Sequence, residues 1–536
     1  MSILPIRQMG TVGIIKDIDP FDLPPNAFDA GLNVRFANGV MTRGPVFRSI
    51  TSLSKDPAFV DGLTPLTGLD YIVLGYQDGT ITKTAGPTTI DITASGWTPS
   101  STPVQWTSTN LSDVYYVNRE DRVPWYMVRN GTQMAAIPGW TSTWRCKSLR
   151  AFNSQLIAIG MTEASAEYPT TLRWSDFTTV GAPPATWNPA TTNSAGRNTI
   201  AEMVNPLIDG YALRNAFALY SRDEIWLMEV TGDSNVYSFR RIFTGTGIIN
   251  KNCVVERQGQ HYVFGFDDIY IHDGVSKQSI AEGKVRQYIY RTMNKKYKDK
   301  FFVAHNRALN EIMFCYVSGD EAVAYPAPNG EACNRAAVYN YVSGTWTFYD
   351  LPWSTAAGIS NLDTSLIWNA ATASWDLTGG SWLDKDDGYK RNLMFVGLTS
   401  ATYGITRQLH VLEDYLTGTT TYPVDTAATG PCYVRRTGID LDEIQAELRG
   451  FKNIISIYPE GRVYASGAPL SFQFGASLYP DESPVLGDPM TYDGIQNYKL
   501  DYRDAGRFLT LQINYNDYRS FSLSGIDVDV VITGSR

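Results

Sequence analysis

Two-residue turns of the Asn-Gly and Asp-Gly kind constrain this chain more than any other feature. They supply the positive φ that matches the twist of paired strands, so apolar runs on either side predict a hairpin. Asn38-Gly39 sits between Leu32–Phe36 and Val40–Thr42, and Asp78-Gly79 joins Tyr71–Tyr76 to Thr80–Thr84. Asn130-Gly131 follows Trp125–Val128, Asp273-Gly274 follows Ile269–His272, and Ser343-Gly344 separates Ala337–Val342 from Thr345–Tyr349. Along Thr345–Tyr349 the period is two, with Trp346 and Phe348 on one face. Aromatic residues reach 12% and suit a pleated, half-buried surface. The fold class expected is all-β, with few helices.

The first three turns recur at roughly forty to fifty residues, the span of one four-stranded propeller blade. Trp106, Trp125, Trp226 and Trp346 all fall in strand-like stretches. No WD or kelch signature repeats, so the propeller would be degenerate; a stack of β-sandwiches is the competing arrangement. At 536 residues the chain exceeds one ordinary core. The expected division is an N-terminal extension with the first hairpin over 1–50, a propeller-like domain over 51–416, a linker over 417–431 and a C-terminal β-sandwich over 432–536. Thr162–Arg197, Ser318–Arg335 and Thr355–Lys390 read as long loops. Phe451–Tyr458, Leu470–Phe474, Phe508–Ile513 and Ile526–Ile532 read as sandwich strands, and Asp440–Arg449 as a short helix stopped by Gly450. One further helix is announced by Ser279 with Glu282 as a capping box, then Val285, Ile289 and Met293 at helical spacing. Lys295, Lys296 and Lys298 complement its C-terminal dipole. They read as its solvated end, or as a basic patch against DNA.

Charge narrows the function. A net charge of −9 is the wrong sign for tight DNA binding, which needs clustered cations to displace counterions. No run of about twenty apolar residues predicts a membrane span, and the first fifteen residues lack the apolar stretch of a secretory signal. Cys146, Cys253, Cys315, Cys333 and Cys432 are scattered and odd in number. They match neither a disulfide framework nor close zinc-binding pairs, and read as reduced, structural thiols, which suits assembly in a cytoplasm; Cys315, in the apolar run Ile312–Val317, would pack as a small hydrophobe.

Motifs that carry chemistry are sparse. His261, His272, His305 and His410 include no pair four residues apart, which leaves metalloprotease chemistry without a foothold. Gly245-Thr246-Gly247 is a glycine turn rather than a phosphate loop. Asp384–Gly388 resembles the opening of a calcium loop but lacks the closing Glu. Asp267-Asp268 offers half of a glycosidase pair, with no partner indicated. Catalytic, cofactor-binding and metal sites are all expected to be absent, and the chain is read as no enzyme.

Three segments, taken in order, resemble one family. They are Gly31–Phe36 followed by Gly39, Val40, Arg43 and Pro45; Leu172–Asp176 followed by Trp187-Asn188-Pro189, with Glu224–Leu227 and Phe239–Arg241; and Gly506–Leu511 followed by Leu523–Val528. The group is the tail-nozzle and head-closure proteins of short-tailed bacteriophages, also called packaged-DNA stabilisation proteins. The resemblance implies a propeller-containing virion subunit in a hexameric ring below the portal and adaptor. That ring would retain packaged DNA, carry or contact tail fibres, and open for ejection. Thr162–Arg197 and Thr355–Lys390 match no motif of the group, so fibre docking does not transfer.

The physics agrees with such a conduit. Sliding requires weak contacts of similar strength along the path, and a lining that does not grip phosphates keeps DNA moving. The alternative reading is a carbohydrate-binding or carbohydrate-cleaving receptor-recognition protein on a propeller scaffold, suggested by the aromatics and carboxylates. A trimeric fibre is disfavoured, because fibres have repetitive, elongated sequences.

Overall fold

The computed structural model describes residues 2–534 except 64–69, 86–87, 101–103, 129, 233–235, 321–331, 362–390, 400–403, 414–428, 442–449, 464–467, 480–481, 483 and 496. The expected linker over 417–431, the helix over Asp440–Arg449 and the carboxylates of Asp384–Gly388 lie wholly or largely outside the described residues. The chain is all-β, 57% strand and 4% helix.

Five four-stranded antiparallel meanders follow one another. Sheet I holds Pro57–Leu63, Tyr71–Tyr76, Ile81–Ala85 and Thr88–Asp91. Sheet II holds Trp106–Leu111, Val114–Arg119, Trp125–Val128 and Ala135–Ala136, and sheet III holds Trp144–Phe152, Gln155–Glu163, Ala166–Trp174 and Gly196–Thr199. Sheet IV holds Asp209–Leu213, Ala216–Tyr220, Glu224–Val230 and Tyr237–Thr244, and sheet V holds Val254–Arg257, Gln260–Phe264, Ile269–His272 and Lys277–Ser279. Sheet VI is longer: Phe302–Asn306, Glu311–Tyr316, Cys333–Asn340, Thr345–Asn361, Arg391–Gly397, Gln408–Glu413 and then Val46–Ser52. The 17-residue strand Thr345–Asn361 pairs with Cys333–Asn340 through its first half and with Arg391–Gly397 through its second. Register shifts flank the turning point near Trp353, whose φ is +46°, so the sheet reads as two meanders joined end to end.

The first strands of sheets I to VI pack each on the next, and the second half of Thr345–Asn361 packs back on Pro57–Leu63. The circuit is closed. At that closing contact a Cβ on Gly62 would lie 2.2 Å from the Ile359 carbonyl oxygen, and one on Gly358 would lie 2.4 Å from that of Val60. Only glycine lets the two backbones approach so closely.

The two remaining sheets lie on either side of an apolar interior that includes Ile6, Ile439, Ile454, Phe474, Leu511, Ile526 and Val528. One contains Leu500–Gly506, Phe451–Val463, Phe521–Gly534, Val40–Arg43 and Val34–Ala37, with Ser2–Arg7 added on Phe521–Gly534. The other contains Val485–Leu486, Leu470–Ser477, Phe508–Tyr515, Cys432–Ile439 and Ala30–Leu32, with Met490–Tyr492 beside Leu470–Ser477. The four C-terminal strands read from sequence are all present.

The N-terminal boundary differs from expectation. Residues 1–50 are no separate extension: four of their strands complete the two C-terminal sheets, and Val46–Ser52 runs across the expected boundary to end sheet VI. Period-two patterning explains the insertion, since Leu4 and Ile6 are buried while Ile3 faces solvent, and such a face needs a facing sheet. Thr162–Arg197 also differs, because Ala166–Trp174 is a nine-residue strand; only 175–195 forms the connection.

Among the expected hairpins only Asn38-Gly39 is a two-residue turn, with φ of +54° and +78° and Ala37 opposite Val40. Asp273-Gly274 and Ser343-Gly344 lie in longer loops, between the paired residues His272 and Lys277 and between Asn340 and Thr345. Asn130-Gly131 precedes a longer return to Ala135. The expected helix forms over Arg286–Thr292, with Val285, Ile289 and Met293 buried. Its first turn is capped by Asp17, whose carboxylate accepts from the Gln287 and Tyr288 amides at 2.8 and 3.0 Å. Ser279 instead accepts from Glu282 in the preceding turn.

Candidate functional site

Inside the circuit of first strands lies a cavity of about 460 Å³ with a mixed lining, whose polar side chains include Asp61, Ser108, Arg150, Tyr211, Glu256 and His305. Alternation places these side chains there, since each first strand turns every second residue towards the axis. At its wall Arg150 holds Asp209 with Nε to Oδ1 at 2.9 Å and Nη2 to Oδ2 at 2.6 Å. The same guanidinium donates to the Ser108 carbonyl, the Tyr211 hydroxyl and the Asn252 Oδ1. Asp209 also accepts from Ser148, Tyr211 and the Asn252 amide. Sheets II, III, IV and V are thus tied at one point. Burial alone would raise the Asp209 pKa, but Arg150 and the surrounding donors outweigh it and hold the carboxyl below its ordinary range. Asp61 is opposite in sense. Burial raises its pKa, although Ser108 and Tyr115 donate to it at 2.7 and 3.1 Å.

A second buried cluster links sheets IV and V. His261 and His272 are direct cross-strand partners with ring centres 5.4 Å apart. The Tyr220 hydroxyl lies 2.6 Å from both His261 Nδ1 and His272 Nε2. The Ala212 carbonyl takes the His261 Nε2 proton at 2.8 Å, which leaves Nδ1 to accept from Tyr220, whose oxygen accepts from His272. Both imidazoles are neutral in this relay. Burial, above all, pushes His261 down to about 4 and His272 to about 3. His305 borders the cavity beside Tyr341, and His410 is buried against Phe47. No sequence spacing announces the relay, because its tyrosine comes from the neighbouring sheet.

The remaining sequence candidates are structural. Asp267 pairs with Lys295, and Asp268 accepts from Ser279 and lies beside Arg286. Gly247 packs against the Ser221 and Arg222 backbone. All five cysteines are buried and unbridged. Among the described residues no three His, Cys, Asp or Glu side chains are grouped to hold a metal ion, and no helix is long and apolar enough to cross a membrane.

Two of the segments that carry the family resemblance supply side chains that fix connections of the fold. Asn33, at φ +54°, donates to the Pro431 carbonyl at 2.7 Å and accepts from the Asp350 amide. The buried Arg43 guanidinium donates to the carbonyls of Asn33, Gly430 and Asp517. Asn33 thus binds sheet VI to the two-sheet unit, and Arg43 ties segments of that unit together. In sheet III, Arg173 donates to Glu163 and to the Trp187 carbonyl, and Trp174 donates to the Ser194 carbonyl. Ser175 accepts from the Leu156 amide of the adjacent strand, and Asp176 accepts the Phe177 and Ser194 amides of its own loop. In sheet IV the Trp226 indole donates to Glu224.

No family model matches the chain. No curated protein matches it either. Among solved structures the chain is similar to the computationally designed Ika8 protein at 9% identity, over 68% of this chain and 99% of that one, with a TM-score of 0.35. A likeness of that degree carries no argument about fold or function.

Proposed function

We propose that this chain is a structural subunit of a bacteriophage tail, one copy of a hexameric nozzle or head-closure ring. The ring retains packaged DNA in the virion and conducts it at ejection, after assembly in the host cytoplasm beside the adaptor and, where present, fibres. In this reading sheets I to VI form a seven-bladed β-propeller whose last blade is completed by Val46–Ser52, and the two-sheet unit is a β-sandwich. The closed circuit of first strands and the two joined meanders of sheet VI support that architecture.

One observation carries the functional reading. In two of the family-like segments Asn33, Arg43, Arg173 and Trp174 donate to backbone carbonyls and fix the surrounding connections. Residues used this way build a rigid part. The −9 charge fits a channel through which a polyanion passes without sequence-specific binding. The carbohydrate reading would use the cavity carboxylates Asp61 and Glu256. Against it, every described tryptophan is buried or half-buried, whereas a sugar platform needs an open ring.

Electron microscopy of intact particles tests the proposal: six copies around the tail axis are expected, and a single-copy or off-axis location overturns it. Binding or cleavage of host polysaccharide by the purified protein would install the alternative.

A further inference from the structure

Resting on the ring reading, we infer that the outer edge of the two-sheet unit docks onto the lysine-rich segment after the helix on a second copy of this chain. The edge is formed by the short strands Val485–Leu486 and Met490–Tyr492 and their loops. It exposes Tyr479 (69%), Val485 (83%), Ile495 (68%) and Tyr498 (78%). Apolar and tyrosine side chains at such exposure are the usual anchors of a protein contact. Strands of two and three residues offer little backbone for edge-to-edge pairing, so the contact runs through side chains.

Charge selects the occupant. Residues 478–504 carry six carboxylates against two cations, whereas 284–300 carry seven cations against one carboxylate. Within the basic segment Arg286 is paired with Glu282 and Asp268, Lys295 with Asp267, and Lys300 with Asp299. Arg291, Lys296 and Lys298 are exposed and have no carboxylate partner among the described residues. Two acidic edges would repel each other across a two-fold axis. An acidic edge on a basic segment is a head-to-tail contact, the kind that closes rings.

The test compares the full-length wild type with Lys296→Glu/Lys298→Glu, Asp488→Lys/Asp501→Lys and Tyr479→Ser by mass photometry over a concentration series. Each charge-reversed protein is expected to need about tenfold or more protein for half-assembly. Mixing the two reversed proteins should restore closed rings of alternating copies, which six subunits allow; misfolded variants would not rescue each other. Assembly unchanged in all three variants, with a wild-type ring, overturns this contact and leaves the ring reading intact. A wild type that stays monomeric at every concentration overturns both. Loss of double-stranded DNA retention in the lysine variant, with assembly unaltered, overturns the contact and assigns the lysines to nucleic acid.

Discussion

Replacing Arg150 by methionine should destabilise the circuit of sheets more than any other conservative change in the cavity. The substitution keeps most of the side-chain length and removes two charged hydrogen bonds to Asp209, together with those to Ser108, Tyr211 and Asn252. Asp209 is fully buried, so its carboxylate would remain in a low-dielectric site without a counter-charge. Breaking such a pair from one side costs about 3–5 kcal/mol. The double variant Arg150→Met/Asp209→Asn removes the orphaned charge while keeping an acceptor for Ser148 and Tyr211. It should therefore be more stable than Arg150→Met alone, with a coupling of roughly 1–3 kcal/mol between the sites. Urea unfolding followed by tryptophan fluorescence reads this directly, since Trp106, Trp187 and Trp226 are buried in sheets II to IV or their connections. A loss below about 1 kcal/mol for the single variant, or a double variant worse than the single, would refute the account of Asp209 as a charge held by Arg150.

Stability should also fall on mild acidification. His261 and His272 are depressed from 6.5 to about 4 and about 3, so their contribution is complete above pH 6.5 and is lost as pH falls through that value towards the folded pKa values. His261 alone accounts for roughly 3 kcal/mol of that loss by pH 4, and urea midpoints for the wild type and a His261→Gln/His272→Gln protein should diverge in slope across pH 7 to 4.5. Gly62→Val should lower the thermal midpoint sharply, because the added Cβ lies 2.2 Å from the Ile359 oxygen and the overpacking costs about 1–3 kcal/mol or more. Cysteine titration with a thiol reagent should find all five thiols inert in the native state and reactive in denaturant, since burial pushes each one up.

Strand content and the C-terminal sheets were legible because alternation is a local signal. Trp346 and Phe348 alternate with threonines and are buried on one face. The tight turns were less so. Ser112-Asp113, Asn153-Ser154 and Ala164-Ser165 each connect adjacent strand ends with both residues at positive φ, a conformation that sequence signals associate with glycine. Here the paired strands on either side impose it. The N-terminal placement was illegible for a different reason: which sheet a strand joins is set by faces that come together only across some 400 residues, as when Ala30–Leu32 pairs with Cys432–Ile439. The Tyr220–His261–His272 relay and the Arg150–Asp209 tie were hidden in the same way, each being assembled from side chains on different strands.

That long-range pairing has a consequence for how the polypeptide is made. Ser2–Arg7, Ala30–Leu32 and Val34–Ala37 leave the ribosome first, yet their neighbours are encoded after residue 431; Val34–Ala37 has its own hairpin mate at once, but the sheet that shelters both arrives last. At roughly 5–20 residues per second the opening strands wait some 20–80 s, unsatisfied and sticky. Maturation is therefore slow and waits for the strands after residue 431, so nascent chains should depend on chaperones far more than the folded, clasped protein does.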